Sequence, residues 1–456
     1  MKRITCIILT LALLITASPA ALAAIFGEEL KSDTSTLAEG TELTNVTDWS
    51  PRGYLRENYV TYTPNDNVVP TVVYGSKLCN YGSYSSMAEL LESRGRHAIA
   101  SVNGDYYDTA TYAPLGIVIS DGRLISSDAG HYAVAFREDG RAFVCEPKIE
   151  MSFVAAGEKF PVTFFNKVRT GSYFTLLTDE FAYNTKNTSP GTDVILSVPE
   201  GTEITANCSF TATVEDIVKS RGAMDIPAGK LVLTVSDESD PWRLGMLDTI
   251  SVGSTLDFTF SCSDERFADV TCAVGALYRL LEDGSVCSGL DNTANPRTAL
   301  GVKSDGSTVL YTVDGRQSGY SAGASMNEVA KRLLELGCTD AALLDGGGST
   351  HMSAIFVGAD GVTQINSPSG GSPRSVTSYL MLTTDASAKS GTAAILGISP
   401  MSVQLLCGAR TNFGFGAADS AGYPAFTPGK LEAALGTITQ SGAYTAPDTP
   451  CTDTVT

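Results

Sequence analysis

Short apolar segments cut by Asp-Gly pairs restrict this chain more than any other feature. Residues 68–74, 98–102, 116–120 and 132–137 are each too short for a long helix. Asp121-Gly122, Asp139-Gly140, Asp283-Gly284, Asp305-Gly306 and Asp314-Gly315 stand between such segments. Asp and Gly tolerate the left-handed backbone of a tight hairpin, so the pattern predicts antiparallel strands. Residues 146–265 continue in this style, with strand-like runs at 194–198, 230–235 and 256–260 and no sign of an independent enzyme core. Two helices interrupt the pattern. Over 325–336, Ser325-Met-Asn-Glu328 is a capping box, Met326, Val329, Ala330, Leu333 and Leu334 recur at helical spacing, and Gly337 is a stop signal. A second helix is expected over 86–93. The fold class is therefore α+β: a strand-rich catalytic domain with few helices.

The ends of the chain read differently. Lys2 and Arg3, the apolar run 4–15 and Ala21-Leu-Ala23 form a basic, an apolar and a cleavage region in order. That predicts a signal peptide over 1–23, too short for a membrane span, with no transmembrane span left after cleavage. The mature chain is then secreted or displayed at the surface of a bacterial-type cell. Residues 25–36 and 386–392 are small and polar and read as linkers. Residues 393–456 read as a partial all-β Ig-like module. About 100 residues complete such a sandwich, so the module is expected to continue past Thr456.

Charge and cysteine content narrow the field. Fifty Asp and Glu against 31 Lys and Arg give −19, which excludes nucleic-acid binding through bulk charge. The three histidines, at 97, 131 and 351, are scattered and do not suggest a zinc site. Of ten cysteines, Cys6 lies in the leader. Export permits disulfides, with Cys262–Cys272 or Cys272–Cys287 as candidate pairs and the connectivity open. Cys338, in an apolar stretch at a helix end, reads as a buried structural thiol.

The densest polar constellation is Ala341-Ala-Leu-Leu-Asp345-Gly-Gly-Gly-Ser-Thr350-His351. Its apolar part reads as a strand with Asp345 at the C-terminal end. Three glycines let a backbone turn tightly and approach a ligand closely. The amides of Gly346, Gly347 and Gly348, with Ser349 and Thr350, can cradle an anion such as phosphate; the plain alternative is a tight turn with a solvated Asp. Asn103-Gly104-Asp105-Tyr106-Tyr107-Asp108 ends another strand and sets a carboxamide and a carboxylate on a glycine-containing loop, with an Asx turn as the plain alternative. Arg297 stands at the entrance to the strand-like run 299–302, where a guanidinium suits a bidentate contact with phosphate. Arg316, in Asp314-Gly-Arg316, and Arg374, after Ser369-Gly-Gly-Ser-Pro373, are further anion-binding candidates.

Taken in order, Asn103-Gly-Asp-Tyr-Tyr, Pro114-Leu-Gly116, Arg297-Thr-Ala-Leu-Gly301, Asp314-Gly-Arg316, Leu336-Gly with Leu344-Asp-Gly-Gly-Gly-Ser-Thr350, and Asn366 through Arg374 resemble the phosphodiester glycosidase family. The resemblance covers residues 37–385. Family members often carry Asn-Gly-Gly where this chain has Asn103-Gly-Asp105. The resemblance implies hydrolysis of a sugar-1-phosphodiester, of the GlcNAc-1-phosphodiester kind, at its glycosidic bond, leaving free sugar and a phosphomonoester. The substrate would be a phosphodiester-linked glycan, an exopolysaccharide or a cell-wall polymer. On that reading Arg297 and the 346–349 amides hold the phosphate, with Asn103, Gly104, Arg316, Thr350 and Arg374 beside them. Asp345 or Asp105 is the base or electrostatic stabiliser, supported by Asp314 and His351. This chemistry requires no cofactor. Asp105, Asp108, Asp314 and Asp345 are also hard oxygen donors that suit Ca²⁺ or Mg²⁺, which keeps a metal-dependent phosphodiesterase as an alternative. A non-catalytic, cell-surface glycan-binding protein is the other.

Overall fold

The computed structural model describes residues 25–403 and 405–456. The expected signal segment, 1–23, lies outside the described residues. Among the described residues three α-helices, Tyr84–Ser93, Pro241–Leu247 and Met326–Glu335, stand among many strands, so the strand-rich α+β reading holds. Asp121-Gly122 and Asp283-Gly284 close two-residue hairpins with both residues at positive φ. Asp314-Gly315 does not: Asp314 is buried at 1% exposure and belongs to the site described below.

The largest sheet has eight strands, in the order Glu28–Ala38, Thr41–Ser50, Gly53–Tyr62, Thr308–Val313, Arg297–Lys303, Cys338–Leu343, Tyr278–Glu282 and Ser285–Val286. Its centre is covered on both faces, which is why 297–302 and 308–313 are buried without alternation. Leu300 and Leu310 enter one core cluster. Ala299, Val309 and Tyr311 enter another, beneath Met326–Glu335. That helix has the expected capping box at Ser325 and Glu328 and buries Met326, Val329, Ala330 and Leu333; Leu334 turns outward.

Residues 25–36 are not a linker. Glu28–Ala38 is the edge strand of this sheet, paired along Thr41–Ser50, and Phe26 is buried. An edge strand needs backbone partners more than apolar side chains, and its first four residues are exposed, so its sequence reads as polar coil. Residues 386–392 are also tied down, because the Asp419 carboxylate accepts from the amides of Ser390 and Gly391 at 2.8 and 3.0 Å.

A second sheet, ordered Thr363–Gln364, Met352–Ala354, Arg96–Asn103, Ser378–Asp385 and Val69–Tyr74, packs against the first. Val72, Ile99, Val102, Leu380 and Leu382 share its core cluster with Leu43, Val60 and Leu310. A third sheet separates this core from a closed barrel. In its strand Tyr132–Arg137, Val134 and Phe136 face the main core while Ala133 and Ala135 face the barrel, the period-two alternation of a strand covered on both sides. The barrel is formed by seven strands between Ile149 and Cys262 and is filled with phenylalanine, Phe153 stacking on Phe160 and meeting Phe174 edge-on at 5.2 Å.

All nine cysteines among the described residues are free thiols. Neither Cys262–Cys272 nor Cys272–Cys287 is bridged. Cys272 points into the main core, whereas Cys262 packs against the barrel core on the other side of the third sheet. Cys338 is buried, as expected, and its Sγ fills the space a side chain at Gly301 would take. Beyond residue 393, five short strands make two small antiparallel sheets, one of Ile395–Ser399 with Gly414–Ala418 and one of Arg410–Asn412, Ala443–Thr445 and Thr437–Ile438. No helix among the described residues is long and apolar enough to cross a membrane.

Candidate active site

The site forms where strands Arg96–Asn103 and Cys338–Leu343 run out at the same edge of the two facing sheets. Asn103 joins them. It is wholly buried, and its amide Nδ2 donates to the Asp345 carbonyl at 2.7 Å and the Gly104 carbonyl at 3.1 Å. Its Oδ1 accepts from Thr298 Oγ1 at 2.7 Å and from the His351 amide at 3.1 Å. A carboxamide has two donor hydrogens and two acceptor lone pairs, and all four are used. Asn103 therefore positions the two loops and has nothing left to offer a substrate. Gly104 completes the joint, its carbonyl accepting from the Asp345 amide at 3.3 Å.

Asp105 follows directly and is 3% exposed. Its carboxylate accepts from the Gly116 amide at 2.6 Å and from the Tyr106 amide at 2.7 Å. Gly116 and Gly275 leave the room for it: a Cβ on either would collide with Oδ2. Burial raises the Asp105 pKa above the usual carboxylate range, and the negative charge of Asp345 raises it further. Lys167 opposes this. It comes from the barrel, is buried, and donates to the carbonyls of Pro114, Leu115 and Gly116 at 2.7, 3.0 and 2.6 Å. Its positive charge pulls the Asp105 pKa down, while burial lowers its own.

Asp345 stands at the end of its strand, as expected. Its Oδ1 accepts from the Gly346 amide at 2.9 Å. Burial raises its pKa, with Ser349 and the charge of Arg374 acting in the opposite direction. The turn beyond is bare backbone against guanidinium groups. Gly347 has φ +62°, and a side chain there would come within 3.1 Å of Arg316 Nη1. At Gly348 a Cβ would stand 2.5 Å from Arg374 Nη2, so a side chain there would displace the guanidinium from the turn. Arg316 is held by Nε donating to Asn295 Oδ1 at 2.9 Å, and Arg374 Nη1 lies 3.5 Å from Ser349 Oγ. Both arginines are exposed, and among the described residues neither forms an ion pair.

Other expected residues lie one layer back. Arg297 is 6% exposed and engaged: its guanidinium donates to Asp291 Oδ2, the Thr293 carbonyl and the Ala324 carbonyl at 2.9, 2.8 and 3.2 Å. Its stem runs beneath Gly346, so it supports the turn from below. Asp314 accepts from the Ser367 amide at 2.9 Å and Asn366 Nδ2 at 3.3 Å, and burial pushes its pKa up to about 6. It anchors the segment that leads to Arg374. Ser349 and Thr350 are buried in the turn. His351 is buried with Nε2 2.7 Å from Ser353 Oγ, and its ring stacks on Tyr84 at 5.7 Å. Burial lowers its pKa to about 4, so the ring is neutral at physiological pH. Asp108 spends Oδ1 on its own turn, accepting from Ala110 and Thr111. Among the described residues no three His, Cys, Asp or Glu side chains converge as a metal-ligand group.

Sequence reasoning did not single out Lys167, Gly275 or Asn295. Lys167 carried little local signal: it follows Phe164-Phe165-Asn166 and stands two residues before Arg169.

Residues 201–383 match the family model described as phosphodiester glycosidase, a stretch that contains Arg297, Asp314, Arg316, Asp345 and Arg374. The SPbeta prophage-derived protein YomE of Bacillus subtilis strain 168 is 47% identical over 60 residues, 13% of this chain and 9% of that protein. A crystal structure of a hypothetical protein from Synechocystis overlays with TM-score 0.62 at 17% identity, covering 76% of this chain and 62% of that one. A protein of Burkholderia pseudomallei K96243 overlays with TM-score 0.55 at 21% identity, covering 72% and 74%. The chain spans less than two thirds of the length of YomE and of the Synechocystis protein. The two structures share its fold. Over residues 201–383 the chain is similar to the phosphodiester glycosidase family, a family of hydrolases acting on glycosyl bonds.

Proposed function

We propose that this chain is an exported hydrolase that cleaves the glycosidic bond of a sugar-1-phosphodiester, of the GlcNAc-1-phosphodiester kind, and releases free sugar and a phosphomonoester. One observation carries the reading. A buried carboxyl, Asp105, and a half-buried one, Asp345, sit on loops joined through Asn103, beside two guanidiniums without an ion-pair partner that lie over a glycine turn.

The chemistry follows from charge. Breaking the anomeric C–O bond builds positive charge on the sugar and a second negative charge on the departing phosphate. Arg316, Arg374 and the turn amides are placed to bind that phosphate. Phosphate is a good leaving group, so little protonation of it is needed. Asp345 faces the same turn and is the group to stabilise the anomeric centre or take a proton from water. Asp105 is the second carboxyl. Burial, and in smaller part the charge of Asp345, raises the Asp105 pKa, which suits Asp105 to the acid role beside Asp345. General acid–base help of this kind is worth roughly 10²–10⁴-fold.

The leader over 1–23 supports export, and the two small sheets beyond residue 393 are read as an Ig-like module that displays the enzyme near a surface glycan. The test is product analysis on the methyl diester of GlcNAc-1-phosphate, followed by ³¹P and ¹H NMR. Free GlcNAc and methyl phosphate are expected. GlcNAc-1-phosphate and methanol would overturn the proposal.

A further inference from the structure

The loop that carries Asp105 also builds an aromatic surface that the reaction does not use. Tyr107 pairs through a single β-bridge with Pro114, the Asp108 amide donates to the Ala113 carbonyl at 2.9 Å, and the Tyr112 amide donates to the Asp108 carbonyl at 2.7 Å. These bonds hold Tyr112 at φ +62°, a left-handed backbone that so bulky a residue rarely adopts. The strain has a visible result: the Tyr112 ring lies 4.7 Å from the Tyr81 ring and 6.3 Å from the Tyr107 ring, stacked on the latter. Tyr81 is 51% exposed, so the stack is open to solvent at this end.

The surface borders the phosphate-binding turn. Gly82, next to Tyr81, pairs with Val376 by exchanging backbone bonds of 3.0 and 3.1 Å, and Arg374 stands two residues before Val376. The two ends of the tyrosine stack are thus fixed to the Asp105 loop and to the Arg374 segment. From these contacts we infer that Tyr81, Tyr107 and Tyr112 form a subsite for a pyranose ring of the glycan chain, beyond the sugar whose bond is cleaved. A pyranose offers a face of C–H groups and an equatorial rim of hydroxyls. A tyrosine ring matches both, with an electron-rich face and a polar edge. The inference rests on the glycan reading of the site, yet it is tested without turnover.

The experiment measures binding of chitotetraose, maltotetraose and mannotetraose to the whole chain by isothermal titration, for wild type and for Tyr112→Gly, Tyr112→Phe and Tyr81→Ala. At least one tetrasaccharide is expected to bind wild type and Tyr112→Phe equally, and Tyr112→Gly and Tyr81→Ala about tenfold more weakly, one aromatic stacking contact being worth about that factor. Glycine suits a positive φ, so Tyr112→Gly should melt no lower than wild type, and Tyr81→Ala changes only an exposed ring. Absence of binding by wild type to all three saccharides, or binding by both ring-less variants as tight as wild type, overturns the subsite. Ring-dependent binding without hydrolysis of the methyl diester would leave the subsite standing and remove the enzymatic reading.

Discussion

Replacing Lys167 with Met should destabilise the protein by an amount that grows with pH. The ammonium serves two groups. It donates to three carbonyls, at 2.7, 3.0 and 2.6 Å, and it faces the buried Asp105 carboxyl. Methionine replaces the stem but takes the ammonium from those buried acceptors, which costs about 1–3 kcal/mol. Part of that loss depends on the state of Asp105. Its folded pKa is raised, so the stability it contributes is full below the unfolded pKa and is lost as pH rises through the folded one. Without Lys167 the folded pKa rises further, and each unit adds about 1.4 kcal/mol of loss once the group must ionise. Urea unfolding at pH 5 and pH 7.5 is the assay, on wild type, Lys167→Met, Asp105→Asn and the double variant. The Lys167→Met deficit should be about 1–2 kcal/mol larger at pH 7.5 than at pH 5, and this pH dependence should vanish in the Asp105→Asn background. An equal deficit at both pH values in the Asp105 background would refute the coupling.

Three further outcomes are expected. Asp345→Asn should abolish turnover of the methyl diester while leaving the melting temperature within a few degrees, since burial already disfavours the ionised carboxyl; a fully active variant would remove Asp345 from the mechanism. Arg316→Ala and Arg374→Ala should each raise KM for the diester by about 10–100-fold, the worth of a charge-assisted hydrogen bond, with little change in urea stability because neither side chain has an acidic partner; unchanged KM in both would move the phosphate elsewhere. Asp48→Asn should stabilise the chain by about 1–3 kcal/mol at pH 8 and not at pH 4. Burial, then Glu57, raises Asp48 to about 7, so its contribution is intact below the unfolded pKa and is lost as pH rises towards 7. Equal stability of the variant and wild type at pH 8 would contradict this.

Legibility followed the physics of each residue. The Met326–Glu335 helix was readable because its cap and its apolar spacing agree. The hairpins at Asp121 and Asp283 were readable because few residue pairs accept their backbone. Strand Glu28–Ala38 was not, since an edge strand held by backbone bonds carries no apolar alternation. The barrel was legible as strands but not as a closed unit, because closure depends on pairings far apart in sequence. Within the site, Asp345 and its glycine turn stood out because bare backbone beside a carboxylate is a rare demand. The division of labour among the arginines did not. Arg297, Arg316 and Arg374 look alike in sequence, and only the fold gives Arg297 to Asp291 and leaves the other two facing the turn. Lys167 reaches its partners across more than 50 residues, a distance no local pattern reports.

Hydrolysis of the methyl diester of GlcNAc-1-phosphate in ¹⁸O-water, with and without chelator, tests the proposed chemistry most directly, because free sugar and methyl phosphate arise from cleavage on either side of the bridging oxygen. Label on the anomeric oxygen of the sugar, unaffected by chelator, is the predicted result. Label in the methyl phosphate, lost with chelator, would contradict it and assign the protein a metal-dependent attack on phosphorus.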